Sequence, residues 1–303
     1  MRGVQRRSNR PIFYEKREIA ALPAFAKRYG RQVARNDKRV FHFIDTPLYN
    51  RAARGLVLRQ QLKHTMLKPV YKRILLKLSG EALAGTRGFG VDRAVISRIA
   101  DEIREITRAG VQTGIVIGAG NIFRGAAAED LDRTAADTIG MIATIINSLF
   151  LKQYLEKKGL SVCVMSAIPI PKAAEYYVAE TAIRHLETGS IVIVAGGTGN
   201  PFFTTDTAAA LRCAEIKAEV LLKATKVDGV YDSDPVKNPK AKKFKTISHA
   251  EALAKNLKVM DAAALSLCME NNIPIIVFKL LERGNLRACV EGSPVGTIVR
   301  KGE

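Results

Sequence analysis

The chain has 303 residues, 47% of them hydrophobic but only 6% aromatic and none of them Trp, so it can bury a large core and that core must be aliphatic. The net charge of +19 suggests a nucleic-acid binder until it is mapped: residues 1–65 hold 16 Lys and Arg against 4 Asp and Glu, so +12 of the excess lies in the first fifth and +7 on the other 238 residues. The longest apolar run, Ile139 to Leu151, is too short and too polar for a bilayer span, and Cys163, Cys213, Cys268 and Cys289 form no C-x-x-C pair, which reads as buried reduced thiols rather than a metal or disulfide framework.

Along residues 1–65 apolar periodicity is weak, Arg is scattered throughout, and no Met occurs between Met1 and Met66. Three readings stay open: a start codon assigned too early with Met66 as the true one, a basic disordered extension, or an organelle transit peptide. Glu15, Glu18, Asp37 and the low Ser content fit the last poorly. Residues 66–303 read as a single domain.

From Tyr71 onward apolar runs alternate with amphipathic segments. Strands are predicted at Arg73 to Leu78 (RILLKL), Thr113 to Ile117, Leu160 to Met165, Ser190 to Ala195 (SIVIVA), Glu219 to Ala224 and Pro274 to Phe278. Helices are predicted at Val91 to Ala109, Ala136 to Lys157, Ala173 to Glu187, Asp206 to Lys217 and Asp261 to Asn271. The first of them puts Val95, Ile99, Ile103 and Ile106 on one face, with Asp92 near its start and Gly110 as its stop. Strands that are apolar throughout and separated by helices predict an α/β fold: a three-layer αβα sandwich around a mostly parallel open sheet.

In such sheets ligands gather outside the carboxyl ends of the strands. The loops found there are SGEALAGTRGFG, GAGNIFRG and GGTGNPFFTTD, richer in Gly than turns alone require, and TKVDGVYDSDP, built on an Asp-Gly turn. Lys77 lies inside an apolar strand beside Ser79-Gly80, so its ammonium either snorkels to water or meets an anion. GAGNIFRG fails as a dinucleotide fingerprint because its third Gly would fall at Phe123, and the chain has no G-x-x-x-x-G-K-[ST]; what remains is an anion nest followed by Arg124. Asp137, early in an apolar helix, is either a helix-dipole partner or a ribose acceptor. In the third loop Thr198, Asn200, Thr204 and Thr205 offer polar side chains, Gly199 and Pro201 fix the backbone, and Asp206 is placed to cap the next helix; Phe202 and Phe203 line a base or anchor the loop. The acidic residues of TKVDGVYDSDP do not match a calcium loop, and Tyr231 with its polar neighbours suits an adenine pocket better. Asp261 stands at a helix start, where a plain cap is the simple reading.

Taken together and in this order, KLSGEAL, GTRGFG, MSAIP, TGNPFFTTD, LKATKVDGVY, DSDP and LKVMD resemble the segments of bacterial uridylate (UMP) kinases, members of the amino acid kinase fold family, over residues 70–300. The resemblance implies a cytoplasmic enzyme of pyrimidine nucleotide biosynthesis that moves the γ-phosphoryl group of ATP to UMP, with Mg²⁺ carried on the nucleotide and no metal held by the protein. It implies that Lys77, Ser79, Gly80 and Gly120 contact the ATP phosphates and that Thr225, Tyr231 and Asp234 hold the adenosine. Lys77 and Asp261 would be catalytic, Lys77 neutralising the moving phosphoryl group and Asp261 organising the lysines around it. On the UMP side it implies Arg124 and Ala119 near the phosphate, Asp137 on the ribose, and Thr198, Gly199, Asn200, Pro201, Phe202, Phe203, Thr204 and Thr205 around phosphate and uracil. Gly85, Thr86, Arg87, Gly88, Phe89 and Gly90 match the family segment linked to activation by GTP; UTP inhibition and a homohexamer are implied as well, with neither nucleic acid nor membrane as partner. One departure is Ala119, where the family usually has Gly; its methyl is compatible with an amide donating to phosphate if φ is negative there but would crowd a close approach, so weakened or unchanged UMP binding is expected. A related kinase acting on a carboxylate or carbamate would lack a reason for Asp137 and the Thr-rich loop. Lys77 and Asp261 argue against a non-enzymatic nucleotide sensor, and a nucleic-acid binder rests on residues 1–65 alone.

Overall fold

RILLKL forms β1 (Arg73–Leu78), flanked on both sides by parallel partners, β2 (Gln112–Ile117) and β6 (Val220–Thr225). The computed structural model describes residues 67–123, 130–235 and 237–302, so the basic segment 1–65 and Arg124 lie outside the described residues. The other strands are β3 (Val162–Ser166), β4 (Glu175–Tyr176), β5 (Ile191–Ala195), β7 (Thr246–Ser248), β8 (Ile275–Lys279) and β9 (Thr297–Arg300). Among the described residues they make one nine-stranded sheet in the order β4-β3-β5-β2-β1-β6-β8-β9-β7, parallel throughout except where β9 runs against β8.

The helices are α1 (Gly80–Leu83), α2 (Arg93–Arg108), α3 (Arg133–Glu156), α4 (Ala179–Glu187), α5 (Thr205–Glu215), α6 (His249–Ala254), α7 (Ala262–Glu270) and α8 (Asn285–Val290). They cover both faces of the sheet, which is why its central strands are largely apolar on both sides. Ile74, Leu76 and Leu78 of β1 enter one core layer with α2, α3 and α8, while Leu75 enters the other with α4, α5 and α7. Alternation along an extended strand therefore sends Lys77 to the α5 side. Asp92 caps α2, accepting from the amides of Ala94 and Val95, and the helix buries Ile96, Ile99, Ile103 and Ile106, each worth roughly 1.5–3 kcal/mol.

Three sequence expectations change. The helix expected from Ala173 begins only at Ala179; Glu175 and Tyr176 pair with β3 instead, where Cys163 donates to Glu175 Oε1 (3.3 Å) and His185 Nε2 lies 3.2 Å from Oε2. These two hydrogen bonds, from Cys163 and then His185, hold the Glu175 carboxyl below its usual range and pin β3, β4 and α4 together. Next, α3 starts at Arg133, capped by Asp132, and has 24 residues, within which an 18-residue stretch with a mean hydropathy of 1.4 is long and apolar enough to cross a membrane by length and composition alone, unlike the shorter run read from sequence. It lies on the sheet, however, burying Ala143, Ile145 and Leu151 and leaving Ile139, Ile142, Ile146 and Phe150 40–46% exposed. Finally, β7, α6, α8 and β9 were not anticipated. All four cysteines are free and buried; burial pushes the thiols of Cys163, Cys268 and Cys289 up to about 12 and that of Cys213 higher still.

Candidate active site

The parallel register sets Lys77 of β1 directly opposite Lys223 of β6. Two ammonium groups on adjacent strands, with side chains only 10% and 14% exposed, repel strongly unless an anion lies between them. Asp206, in the first turn of α5, supplies it: Oδ1 is 2.5 Å from Lys77 Nζ and Oδ2 is 2.7 Å from Lys223 Nζ. Lys77 pairs with Oδ1, whereas Lys223 donates both to Oδ2 and to the Val259 carbonyl (2.5 Å). Burial alone raises the Asp206 pKa and is the largest single effect, but Lys77 and Lys223 together outweigh it and hold the carboxyl below its ordinary value. Burial pushes the Lys223 pKa down, against the pull of Asp206.

Asp206 was expected to cap α5. That role belongs to Thr204, whose hydroxyl accepts from the amides of Asp206 (3.0 Å) and Thr207 (3.3 Å), leaving the Asp206 carboxylate to turn toward the lysines. Asp261 caps α7 through the Ala264 amide (2.8 Å) and accepts from the hydroxyls of Thr204 and Thr207. It thus ties the starts of α5 and α7 together and reaches Lys223 through its field, which raises the Lys223 pKa, rather than by contact.

Two Gly-rich turns stand over this cluster. Gly118 donates to the Leu78 carbonyl (2.9 Å), and a methyl on Gly80 would lie 2.5 Å from the Gly118 oxygen, so the Ser79-Gly80 backbone rests on Gly118 in a way only Gly allows. The Ala119 carbonyl accepts from the Ile122 (2.8 Å) and Phe123 (3.0 Å) amides, closing the second turn, and the Ala119 φ is not in the left-handed region.

On the far side α3 holds the third loop. Asp137 Oδ2 accepts from the Phe202 amide and from Arg133 Nε, both at 2.8 Å, and Thr144 accepts from the Gly196 amide at 2.8 Å. Phe202 takes φ of 71° and projects, 65% exposed, with the Arg133 guanidinium 5.6 Å from its ring centre; Phe203 is 52% exposed. Thr198 closes a tight turn by accepting from the Asn200 amide (3.1 Å). From α5, Arg212 donates to the carbonyls of Gly197 (3.3 Å) and Thr198 (3.4 Å) while stacking on Tyr177 (4.2 Å).

The residues expected to hold the adenosine start at the last residue of β6 and run into the loop after it. The Thr225 hydroxyl donates to the Val227 carbonyl (2.6 Å) and Tyr231 donates to Asp228 Oδ1 (2.6 Å), whose other oxygen pairs with Lys243 (2.9 Å); the Asp234 carbonyl accepts from the Lys237 and Asn238 amides. Gly85–Arg87 form one 3₁₀ turn, Gly88 and Gly90 take φ of 74° and 71°, and Phe89 is 71% exposed. Sequence reasoning missed Lys223 and Arg212. Both carry the mark that singled out Lys77, a cation within an apolar strand (EVLLKA) or helix (AAALRCAE).

Residues 72–279 match the amino acid kinase family. Among solved structures the chain is similar to a UMP kinase from Bacillus anthracis, at 42% identity and a TM-score of 0.75 over 78% of this chain and 98% of that one. A UMP kinase from Ureaplasma parvum matches at 40% identity and 0.71 over 76% and 99%. A uridylate kinase from Archaeoglobus fulgidus matches at 26% identity and 0.59 over 75% and 99%.

Proposed function

The chain belongs to the amino acid kinase family, and we propose that its reaction is transfer of the γ-phosphoryl group of MgATP to UMP, giving UDP and ADP. Support for the acceptor comes from one observation above the others: two UMP kinases are matched at 40–42% identity over 98–99% of their own length. UMP already carries a nucleophilic phosphate oxygen, so no general base is needed and catalysis falls to positioning and electrostatics. Lys77 and Lys223 supply buried positive charge for the phosphoryl group in flight, Asp206 keeps both ammonium groups in place, and Asp261 holds the two helix starts around them. Ser79, Gly80 and Gly120 serve the ATP phosphates and Thr225, Tyr231 and Asp234 the adenosine; Arg124, Ala119, Asp137 and the loop from Thr198 to Thr205 take UMP.

The central carboxylates suit a metal carried on the nucleotide rather than one held by the protein, since Asp206 faces two ammonium groups and Asp261 is taken up by Thr204, Thr207 and the Ala264 amide. Mg²⁺ bound with ATP would neutralise phosphate oxygens. The exposed stripe Ile139, Ile142, Ile146 and Phe150 supports a homo-oligomer, for which the hexamer is our reading. We also assign the segment Gly85 to Gly90 to activation by GTP, with UTP as inhibitor, in a cytoplasmic enzyme of pyrimidine nucleotide biosynthesis. Residues 66–303 form the kinase domain with the basic segment outside it; a family match starting at residue 72 supports that division.

A coupled ADP-release assay on the full chain with MgATP, offering UMP, CMP, dUMP, AMP, aspartate and glutamate in parallel, tests the acceptor. Turnover confined to UMP is the expected result. Turnover of an amino acid alone, or of nothing, removes the UMP assignment.

A further inference from the structure

We propose that Asn121 and Asn147 are positioning residues: two interlocked side-chain amides that set the Gly118–Gly120 turn against Ser79-Gly80 and tie both to the segment ending at Gly90. This rests on reading those turns as phosphate-binding.

Asn147 projects from the sheet-facing side of α3 and Asn121 from the turn after β2; they are 0% and 1% exposed. Their amides pair reciprocally, Asn121 Nδ2 donating to Asn147 Oδ1 (3.0 Å) and Asn147 Nδ2 to Asn121 Oδ1 (2.7 Å). The second hydrogen of each Nδ2 leaves the pair: from Asn121 to the Gly90 carbonyl (2.7 Å), from Asn147 to the Gly118 carbonyl (2.8 Å). The Gly90 amide in turn donates to the Asn121 carbonyl (2.8 Å). All four amide hydrogens are used, and flipping either amide would set oxygen against oxygen, so one arrangement alone satisfies the network. Gly80 presses on the same point, since a methyl there would lie 2.5 Å from the Gly118 oxygen and 2.7 Å from Asn121 Oδ1.

Stability does not require this pair. The inner face of α3 also buries Ala143, Ile145 and Leu151, with Thr144 and Ser148 donating their hydroxyls to carbonyls of their own helix, and an apolar side chain at 147 would cover the sheet without the cost of desolvating an amide. What an apolar residue cannot do is hold the Gly118 carbonyl at a fixed height beneath Gly80 while gripping Gly90. The pair therefore fixes the relative position of three backbone segments, two from the loop after β1 and one from the loop after β2.

Asn147→Asp tests the clamp. An ionised carboxylate at 147 would face two acceptors, the Gly118 oxygen and Asn121 Oδ1, whereas its protonated form regains one donor; burial raises its pKa toward neutrality. At pH 8 we expect kcat to fall roughly 10- to 100-fold and KM for MgATP to rise about fivefold, with KM for UMP within about threefold, the scale of an ångström-level misplacement. Relative to wild type at each pH, activity should recover as pH falls from 8 to 6. Asn147→Leu should lose as much without recovering. Loss of folded enzyme would lower kcat alone, so unchanged MgATP affinity or a loss independent of pH overturns the clamp. If Asn147→Asp does not fold, Asn121→Asp, which keeps its acceptor for Asn147 Nδ2, carries the same measurement. If the wild type does not turn over UMP, the acceptor assignment falls by itself; calorimetric MgATP affinity of the same variants at pH 8 and pH 6 still decides the clamp, equal affinity with wild type sinking it.

Discussion

Beneath the loops at the carboxyl end of the sheet lie two buried polar clusters that are closed in different senses. In the Asn121–Asn147 pair every amide hydrogen meets an acceptor and the cluster is neutral. In the Lys77–Asp206–Lys223 cluster two cations share one carboxylate, so the geometry is tight but one positive charge is left over. The neutral pair is suited to holding backbone in place, because nothing in it changes when an anion arrives. The charged one holds more cations than carboxylates in direct contact, with Asp261 acting only through its field, and on the proposed reading that low-dielectric positive charge is what a phosphoryl group would meet. Holding backbone in place and carrying charge thus fall to neighbouring but separate groups.

The largest expected effect lies on the charged side. Lys77→Met should lower kcat by roughly 10²-fold or more, the scale for losing one preorganised charge donor. Because it removes one of two mutually repelling ammonium groups and inserts an apolar chain of similar length, it should not lower the unfolding midpoint. Steady-state kinetics paired with thermal unfolding checks both halves, and near-normal kcat would take Lys77 out of the centre.

Asp206→Asn should do the reverse and strike stability first. It leaves two buried ammonium groups facing each other, a change expected to cost about 3–5 kcal/mol at neutral pH. The sign with pH follows from the shifts. The folded Asp206 pKa lies below 3.8, so the wild-type contribution is present above that value and is lost as pH falls through the folded one. Lys223 lies below 10.5, so its unfolded form binds more protons and stability rises with pH up to that value. Without Asp206 to raise it, the Lys223 pKa drops further and that rise should begin at lower pH. Urea unfolding at pH 7 and pH 9.5 measures it; a variant whose deficit against wild type is the same at both pH values would break the contrast between the clusters.

Much of this architecture was legible from local pattern. Six of the strands are apolar runs, and α2, α3, α5 and α7 are long enough for helical periodicity to register. What escaped was short: β9 has four residues, α8 six and β7 three, below the window in which a period can be recognised. The Glu175-Tyr176-Tyr177 stretch reads as helical until its pairing with β3 is known, which is non-local information. At the site, Thr204, Thr205 and Asp206 are all good helix caps, and choosing Thr204 requires knowing that two lysines from distant strands converge on Asp206. Lys223 was legible by the same reasoning as Lys77, an ammonium inside an apolar strand. Asn147 was not, because an Asn within an apolar helix looks the same whether it faces water or another amide.

The smallest effect is expected at Ala119. Its neighbours are constrained: a methyl on Gly118 would lie 3.1 Å from the Gly80 nitrogen, and one on Gly120 would lie 3.2 Å from the Glu81 side chain. Ala119 stands between them with an ordinary φ, since Phe202, Lys217, Asn256 and Asn272 are the only non-glycine residues with positive φ among the described residues. Its methyl therefore strains nothing in the turn, and Gly at this position would chiefly loosen the unfolded chain. Ala119→Gly should change the UMP dissociation constant by no more than about twofold, or about 0.4 kcal/mol. Calorimetric titration of UMP into both forms decides it. Tightening of about fivefold or more would mean that the methyl stands in the ligand's path, and that the neutral, shape-holding side of the site limits affinity as well as geometry.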